Sequence, residues 1–144
     1  MKLTIRPAQC SDAVAVEELL RGVALPTEDL PADLAHFVVG YDQHQLAGIA
    51  GMEYYGPLGL LRSVAVSPVF RDRHLGRALV DAVLDSARQD GIREAYLITT
   101  TADAYFLRYG FTEVKRAEVP EAIRATSQFS ALCPASAVIM KMSL

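Results

Sequence analysis

The 144-residue sequence predicts an α+β domain, an α/β mixed sheet of about seven strands with helices packed on it. Three observations carry this expectation. Seven short apolar or alternating segments have strand character, and stretches with apolar residues at helical spacing separate several of them. Their order along the chain is β-α-β-β-β-α-β-α-β-(α)-β, with no repeat, linker or low-complexity tract, so a single domain over residues 1–144 is expected.

Each element has its own justification. Lys2–Arg6 is the first strand, bounded by Pro7, which has no N–H to give to a following ladder. Ser11 or Asp12 can cap a helix in which Val16, Leu19, Leu20 and Val23 fall at i, i+3, i+4 and i+7. Leu25-Pro26 ends it, and Thr27–Leu34 reads as a loop. His36–Tyr41 and Gln45–Tyr55 flank Asp42-Gln43-His44 as an antiparallel hairpin. Tyr55-Gly56-Pro57-Leu58-Gly59 is a second turn, and Gly59–Val66 the strand after it, stopped by Ser67-Pro68.

The strongest helix runs from His74 to Gln89. Leu75, Leu79, Ala82, Val83 and Ser86 form its stripe, and Gly91 is placed to take the left-handed conformation that closes it. Arg93–Ile98 lacks polar alternation, as expected of a strand covered on both faces. Thr101–Tyr109 reads as a helix, Thr112–Arg116 as a strand, Pro120–Thr126 as a short helix, Ser127–Pro134 as irregular chain and Ala137–Met142 as the last strand.

Composition excludes several classes. Hydrophobic residues make up 51% and charged ones 22%, too apolar a balance for a disordered chain. Fourteen Lys and Arg against seventeen Asp and Glu leave a net charge of −3, so no broad cationic face for nucleic acid is expected. The longest apolar run is well short of the roughly 20 residues of a membrane helix, and no membrane partner is expected. The amino terminus lacks the pattern of a signal peptide, so Cys10 and Cys133 are expected as reduced thiols of a cytoplasmic protein. Two thiols leave a metal's coordination unfilled, and no metal site is expected.

The chemistry concentrates in Leu60–Val80, a strand, a short basic turn and the opening of the long helix. Such a turn aims backbone N–H groups and the positive end of the helix dipole at one point, a ready anion site. Arg71, Arg73 and Arg77 add positive charge, and Gly76 allows close approach to the backbone. On spacing alone, the same residues read equally as solvated surface.

Val64–Leu79 resembles the acetyl-CoA-binding segment of the GNAT superfamily of N-acyltransferases. The family pattern, Arg or Gln, two residues, Gly, any residue, then Gly or Ala, falls on Arg71-Asp72-Arg73-His74-Leu75-Gly76, with His74 in place of the first Gly. Slid by two residues, Arg73-His74-Leu75-Gly76-Arg77-Ala78 fits in full; the first register keeps the distance from Val66 to the helix and is preferred. The order of elements matches the family over nearly the whole chain, as does Tyr109-Gly110-Phe111. Leu25–Leu30, Leu61–Val64, Leu97–Ala102 and Phe129–Ala137, with its Leu132-Cys133-Pro134-Ala135-Ser136-Ala137 tail, are similar to a GNAT subfamily named for arsenic-resistance operons.

The resemblance implies the GNAT fold, with helices on both faces of the sheet, and acetyl-CoA as co-substrate. It implies that the backbone of Val64, Ala65 and Val66 holds the pantetheine arm. It assigns the pyrophosphate to Arg71, Arg73, His74, Leu75 and Gly76, with Arg77 reaching a phosphate. Core packing of Val64 and Val66 is compatible with this, because the backbone does the binding. Direct transfer needs a neutral amine, hence a base. Glu53, the one acid in the apolar segment Leu46–Tyr55, is the candidate, against an outward-facing strand residue. The tyrosine by which family members often protonate the departing thiolate falls on Phe106; Tyr105 is the candidate donor, against a packed aromatic. A thiolate of pKa about 8.5 also leaves without a proton, so the role can be vacant.

Cys133 reads as a packed or pocket-lining thiol, or as a nucleophile if a histidine lies near it. Arg62, Thr27 and Glu28 either meet a substrate's carboxylate or amine or only close their loop. The function implied is N-acetylation of a small-molecule amine, amino-acid-like or an organoarsenical. The competing readings are acetylation of a protein and a catalytically silent CoA-binding module. Homodimerisation, with the tail strand Ala137–Met142 pairing or packing across chains, is a further expectation.

Overall fold

A computed structural model describes residues 3–25, 27–31, 33–71, 74–126, 129 and 137–144. The elements are β1 (Leu3–Pro7), a 3₁₀ turn (Cys10–Asp12), α1 (Ala13–Gly22), β2 (Phe37–Asp42), β3 (Gln45–Tyr55), β4 (Leu58–Val66), a 3₁₀ turn (Pro68–Phe70) and α2 (Leu75–Gln89). There follow β5 (Glu94–Thr99), α3 (Asp103–Tyr109), β6 (Thr112–Val114), a 3₁₀ turn (Arg116–Glu118), α4 (Glu121–Arg124) and β7 (Val138–Ser143). The strand order is β1-β2-β3-β4-β5-β7-β6. β4 and β5 run parallel, whereas the β1–β2, β2–β3, β5–β7 and β6–β7 pairs are antiparallel. The mixed seven-stranded sheet is therefore the one predicted.

The chain forms two compact units, Met1–Met52 with Arg62–Asp90, and Glu53–Leu61 with Gly91–Leu144. In the first, α1 and α2 lie on opposite faces of the strands. Val16 and Leu20 of α1 are buried against Phe37, Val39, Ile49 and Ala65, with Leu19 and Val23 packed beside them. Leu75 and Leu79 of α2 instead approach Gly40 and Gly48, whose strand neighbours Val39 and Ile49 belong to the α1 side. Alternation along a strand puts such neighbours on opposite faces. A side chain at Gly48 would have its Cβ 2.7 Å from Leu79 and 2.9 Å from the Ala65 carbonyl oxygen, so glycine is what lets α2 sit this close.

Several boundaries differ from expectation for local reasons. Pro7 is the last residue of β1, opposite Val38, where its missing N–H costs the ladder little. Asp12 closes a capping box: its Oδ2 accepts the Gln9 N–H at 2.7 Å, so the 3₁₀ turn begins before the helix proper. The buried stripe of α2 is broader than predicted. Leu75, Leu79 and Val83 are joined by Val80, Leu84 and Ala87, whereas Ala82 is half-buried and Ser86 exposed. A helix laid flat on a sheet buries a wide face, and a single i, i+4 row follows only one side of it. Gly91 takes φ +91 after α2, as predicted.

The second unit buries Leu60, Tyr96, Val114, Val119, Ile123 and Ile139 in one cluster, with Tyr55, Leu58, Ile98 and Phe129 packed against it. β7 is paired along its whole length, to β5 through Glu94↔Ser143 to Thr99↔Val138 and to β6 through Thr112↔Lys141 to Val114↔Ile139. Of the two ways the tail strand could meet a second copy, pairing or packing, these ladders bear on pairing alone. Over Ile139–Lys141 β7 is flanked by strands on both sides, and among the described residues the edge strands of the sheet are β1 and β6. Among the described residues, no helix is long and apolar enough to cross a membrane.

Candidate active site

The residues proposed to hold the cofactor all fall in the first unit, where β4 passes through a 3₁₀ turn into α2. Ser63 breaks the regularity of β4 with φ +57, a left-handed conformation that is uncommon without glycine. Beyond it Ala65 is buried in the α1-side cluster, while Val64 and Val66 are half-buried. Parallel pairing of β4 to β5 is confined to Leu58↔Glu94, Gly59↔Ala95 and Leu60↔Tyr96. Val64–Val66, to which the resemblance assigns the pantetheine arm, thus lie outside the pairing that β4 makes with β5.

The amino end of α2 has the electrostatics of an anion site. Its first turn contains no acidic residue, and the His74 side chain makes no cap to it. The first N–H groups of any helix lack intrahelical acceptors and carry the positive end of its dipole. His74 precedes the helix at φ 56, ψ 19, in the left-handed region that a glycine would adopt freely. The residue standing where the family pattern has Gly therefore keeps glycine's backbone conformation, and its exposed side chain projects where glycine has none. Leu75 is buried, Gly76 half-buried, and Arg71 and Arg77 are exposed. Arg71 Nε donates to the Val66 carbonyl at 3.4 Å, which draws that guanidinium back toward the end of β4. Arg73 lies outside the described residues.

Arg62 has a different role from the carboxylate receptor that the sequence left open. Its side chain is fully buried, and its Nη1 and Nη2 donate to Asp29 Oδ2 and Oδ1, each at 2.8 Å. Nε donates to Ser63 Oγ at 3.1 Å, and the guanidinium lies 5.9 Å from the centre of the Phe37 ring. Phe37 faces Gly51 across the β2–β3 ladder, and a Cβ there would come within 2.3 Å of the ring. Gly51, Phe37, Arg62 and Asp29 form one stack that ties the chain between α1 and β2 to β4. Of the alternatives, loop closure is the one observed for Arg62. Thr27 N–H donates to the Glu28 side chain at 3.3 Å, and Glu28 is exposed.

In the second unit, Glu53 is half-buried on β3 and accepts a hydrogen bond from the Tyr55 hydroxyl. Tyr105 lies on α3 with its hydroxyl oxygen shielded from solvent and its ring edge-on to Phe106, centroids 5.1 Å apart. Phe106 is buried and packs on Phe111 in turn, centroids 5.6 Å apart. Sequence reasoning missed Tyr55 and Asp29. Two residues apart on a strand share a face, so Tyr55 was discoverable from spacing; Asp29, 33 positions from Arg62, was not. Cys133 lies outside the described residues, and Cys10 is exposed. Among the described residues no group of three or more His, Cys, Asp or Glu is arranged to hold a metal.

Comparison with known proteins bears directly on this geometry. A family model described as Acetyltransferase (GNAT) family matches residues 9–111. An uncharacterised N-acetyltransferase from Chlorobaculum tepidum is 26% identical over 127 residues, 83% of this chain and 81% of that one. The amino-acid acetyltransferase of Salmonella typhimurium is 28% identical over 126 residues, but the match covers only 28% of that longer protein. Among solved structures, N-acetylglutamate synthase from Neisseria gonorrhoeae, complexed with coenzyme A and N-acetyl-glutamate, superposes with a TM-score of 0.87 at 22% identity, over 100% of this chain and 35% of that one. A Mycobacterium tuberculosis protein crystallised with CoA superposes with a TM-score of 0.82 at 25% identity, over 98% of this chain and 99% of that one. The chain belongs to the acetyltransferase (GNAT) family: it is an N-acetyltransferase, with acetyl-CoA as its co-substrate.

Proposed function

We propose that residues 1–144 act as one N-acetyltransferase domain that moves the acetyl group directly from acetyl-CoA to the amine of a small, amino-acid-like molecule. The observation that carries this reading is the amino end of α2, whose first turn holds no acidic residue and whose His74 makes no side-chain cap, with Arg71 and Arg77 near it in sequence and His74 in a glycine-like conformation. These features suit a pyrophosphate. In the proposal the backbone of Val64, Ala65 and Val66 takes the amides of the pantetheine arm. Arg71, Arg73, His74, Leu75, Gly76 and Arg77 take the phosphates. Glu53 removes the ammonium proton, so that the nitrogen lone pair can attack the thioester carbonyl as the C–S bond breaks. Tyr105 donates the proton to the departing sulfur.

The similarity to amino-acid acetyltransferases favours an amino acid as acceptor. The resemblance of Leu25–Leu30, Leu61–Val64, Leu97–Ala102 and Phe129–Ala137 to the arsenic-resistance-operon subfamily adds amino-acid-like organoarsenicals to the candidates. A homodimer, in this proposal, uses surfaces other than the paired edges of β7. The test is a two-step assay on the purified chain. CoA and acetyl-CoA should raise the melting temperature, and CoA release should be fastest with one class in a panel of amino acids, polyamines and peptides. Tight CoA binding with no turnover on any amine would instead favour the silent module, and preference for peptides would favour a protein acetyltransferase.

A further inference from the structure

The base assigned above is not alone on its strand. Glu53 and Tyr55 stand two residues apart on β3, so the pleat directs both side chains to one face. On that face the Tyr55 hydroxyl donates to Glu53 Oε1. The ring behind the hydroxyl is packed: Tyr55 is half-buried against the cluster that contains Leu60, Tyr96, Ile123 and Ile139. A phenol has two side-chain torsions, and packing on its ring fixes both. Its oxygen is then a fixed point in space. A glutamate has three torsions, so a fixed donor at one oxygen selects a rotamer and sets the direction of the other oxygen.

We propose that Tyr55 is a positioning residue for acetyl transfer, its hydroxyl clamping the Glu53 carboxylate in the orientation from which it accepts the amine's proton. The proposal rests on the assignment of Glu53 as base. Two consequences follow from the chemistry. The clamp spares the carboxylate a rotamer search before each proton transfer. The bond also settles in advance which carboxylate oxygen is engaged, since Oε1 already accepts from Tyr55. The neighbouring phenol of Tyr96 is held above its ordinary range by burial and by Glu94. It stays protonated through the pH range of the assay and does not mimic the signal.

The experiment compares wild type, Tyr55→Phe, Glu53→Gln and the double variant by pH profiles of kcat and kcat/KM, with acetyl-CoA and L-glutamate or whichever panel amine releases CoA faster. Tyr55→Phe deletes one oxygen and keeps the packed ring; thermal melting checks the fold. Should it melt early, Glu53→Asp withdraws the carboxylate from the phenol by one methylene and serves as the second variant. Tyr55→Phe is expected to lower kcat by about threefold to tenfold while KM for the amine changes by less than about twofold. The double variant is expected to be no slower than Glu53→Gln. A Tyr55→Phe profile that overlays wild type, beside a crippled Glu53→Gln, overturns the clamp and leaves the base in place. A Tyr55→Phe loss that adds in full to the Glu53→Gln loss overturns it as well, since it marks a purely structural role. A Glu53→Gln variant with the wild-type profile, or no turnover on any amine, removes the base and the clamp together.

Discussion

Replacing Asp29 with Ala tests the stack on which Arg62 depends. The Arg62 side chain is 0% exposed and that of Asp29 22% exposed, and their two hydrogen bonds are both 2.8 Å. Removing one partner of a buried pair typically costs about 3–5 kcal/mol, because the surviving charge is left without its counter-ion. Three features reduce that figure here. Asp29 is partly solvated, Ser63 Oγ still accepts from Nε, and the Phe37 ring still faces the guanidinium. A loss of about 2–4 kcal/mol is expected, which at this chain length lowers Tm by roughly 6–15 °C. Calorimetry or circular dichroism melting measures it. Arg62→Met with Asp29→Ala removes both charges and should recover most of the loss, since a buried pair exchanged for apolar side chains is often near neutral. A single Asp29→Ala variant that melts within about 1 °C of wild type, the scale of an ordinary surface change, would refute the reasoning.

Other expectations are as direct. Asp12 is buried and accepts from Arg6 Nη1 and Nη2 at 2.9 Å each, from Gln9 N–H at 2.7 Å and from the Tyr41 hydroxyl at 3.1 Å. Chiefly through the Arg6 hydrogen bonds, its carboxyl is held below the ordinary range, so its contribution is present in full above the unfolded-state pKa of about 3.9 and is lost as pH falls through the lower folded-state value. Because Arg6 is partly exposed, Asp12→Asn should cost only about 1–2 kcal/mol at pH 7 and should flatten the acid limb of the stability curve, as urea melts at several pH values can show. Arg71→Ala and Arg77→Ala should each weaken CoA binding by about 3- to 30-fold with a shallower salt dependence, read by calorimetry; unchanged Kd in both would move the phosphates elsewhere. His74→Gly should keep or raise stability, by up to about 1 kcal/mol, because left-handed strain at a side-chain-bearing residue is relieved against glycine's larger entropy loss. A clear drop in Tm would mean that the imidazole makes a stabilising contact.

What was legible in the sequence was mostly what short-range physics decides. β3 runs from Gln45 to Tyr55 as expected, because an apolar run between two turn sequences has little choice of register. Gly91 at φ +91 and the helix before it follow from one glycine and one stripe. The sheet order was not legible beyond the hairpins. Inserting β7 between β5 and β6 depends on pairings of Glu94–Thr99 and Thr112–Val114 with Val138–Ser143, between segments tens of residues apart. Arg62 shows the same limit. Its charge in an apolar strand advertised a partner, but nothing near it distinguished a substrate carboxylate from Asp29.

The two halves of the proposed site differ in how they are encoded, and that difference explains which half could be read. Cofactor contacts of this kind rest on backbone: a strand left without β5 partners after Leu60, and the N–H groups at the start of a helix. Backbone geometry is produced by contiguous residues, so Arg71 to Arg77 signals it in seven positions even with His74 standing for Gly. The conformation survived the substitution because an exposed position can bear left-handed strain that a packed one would convert into a clash. In the proposed function, the acceptor is met by side chains brought together from separate elements, each held by partners of its own. The clamp on Glu53 is a neighbour on the same strand, whereas the clamp on Arg62 comes from a loop 33 positions earlier. Variation in that loop can therefore change which amine is accepted while the helix start continues to announce the same co-substrate. It follows that exchanging the residues around Asp29 between relatives should move amine preference and leave CoA affinity nearly constant. A chimera in which CoA affinity changed and amine preference did not would contradict this division.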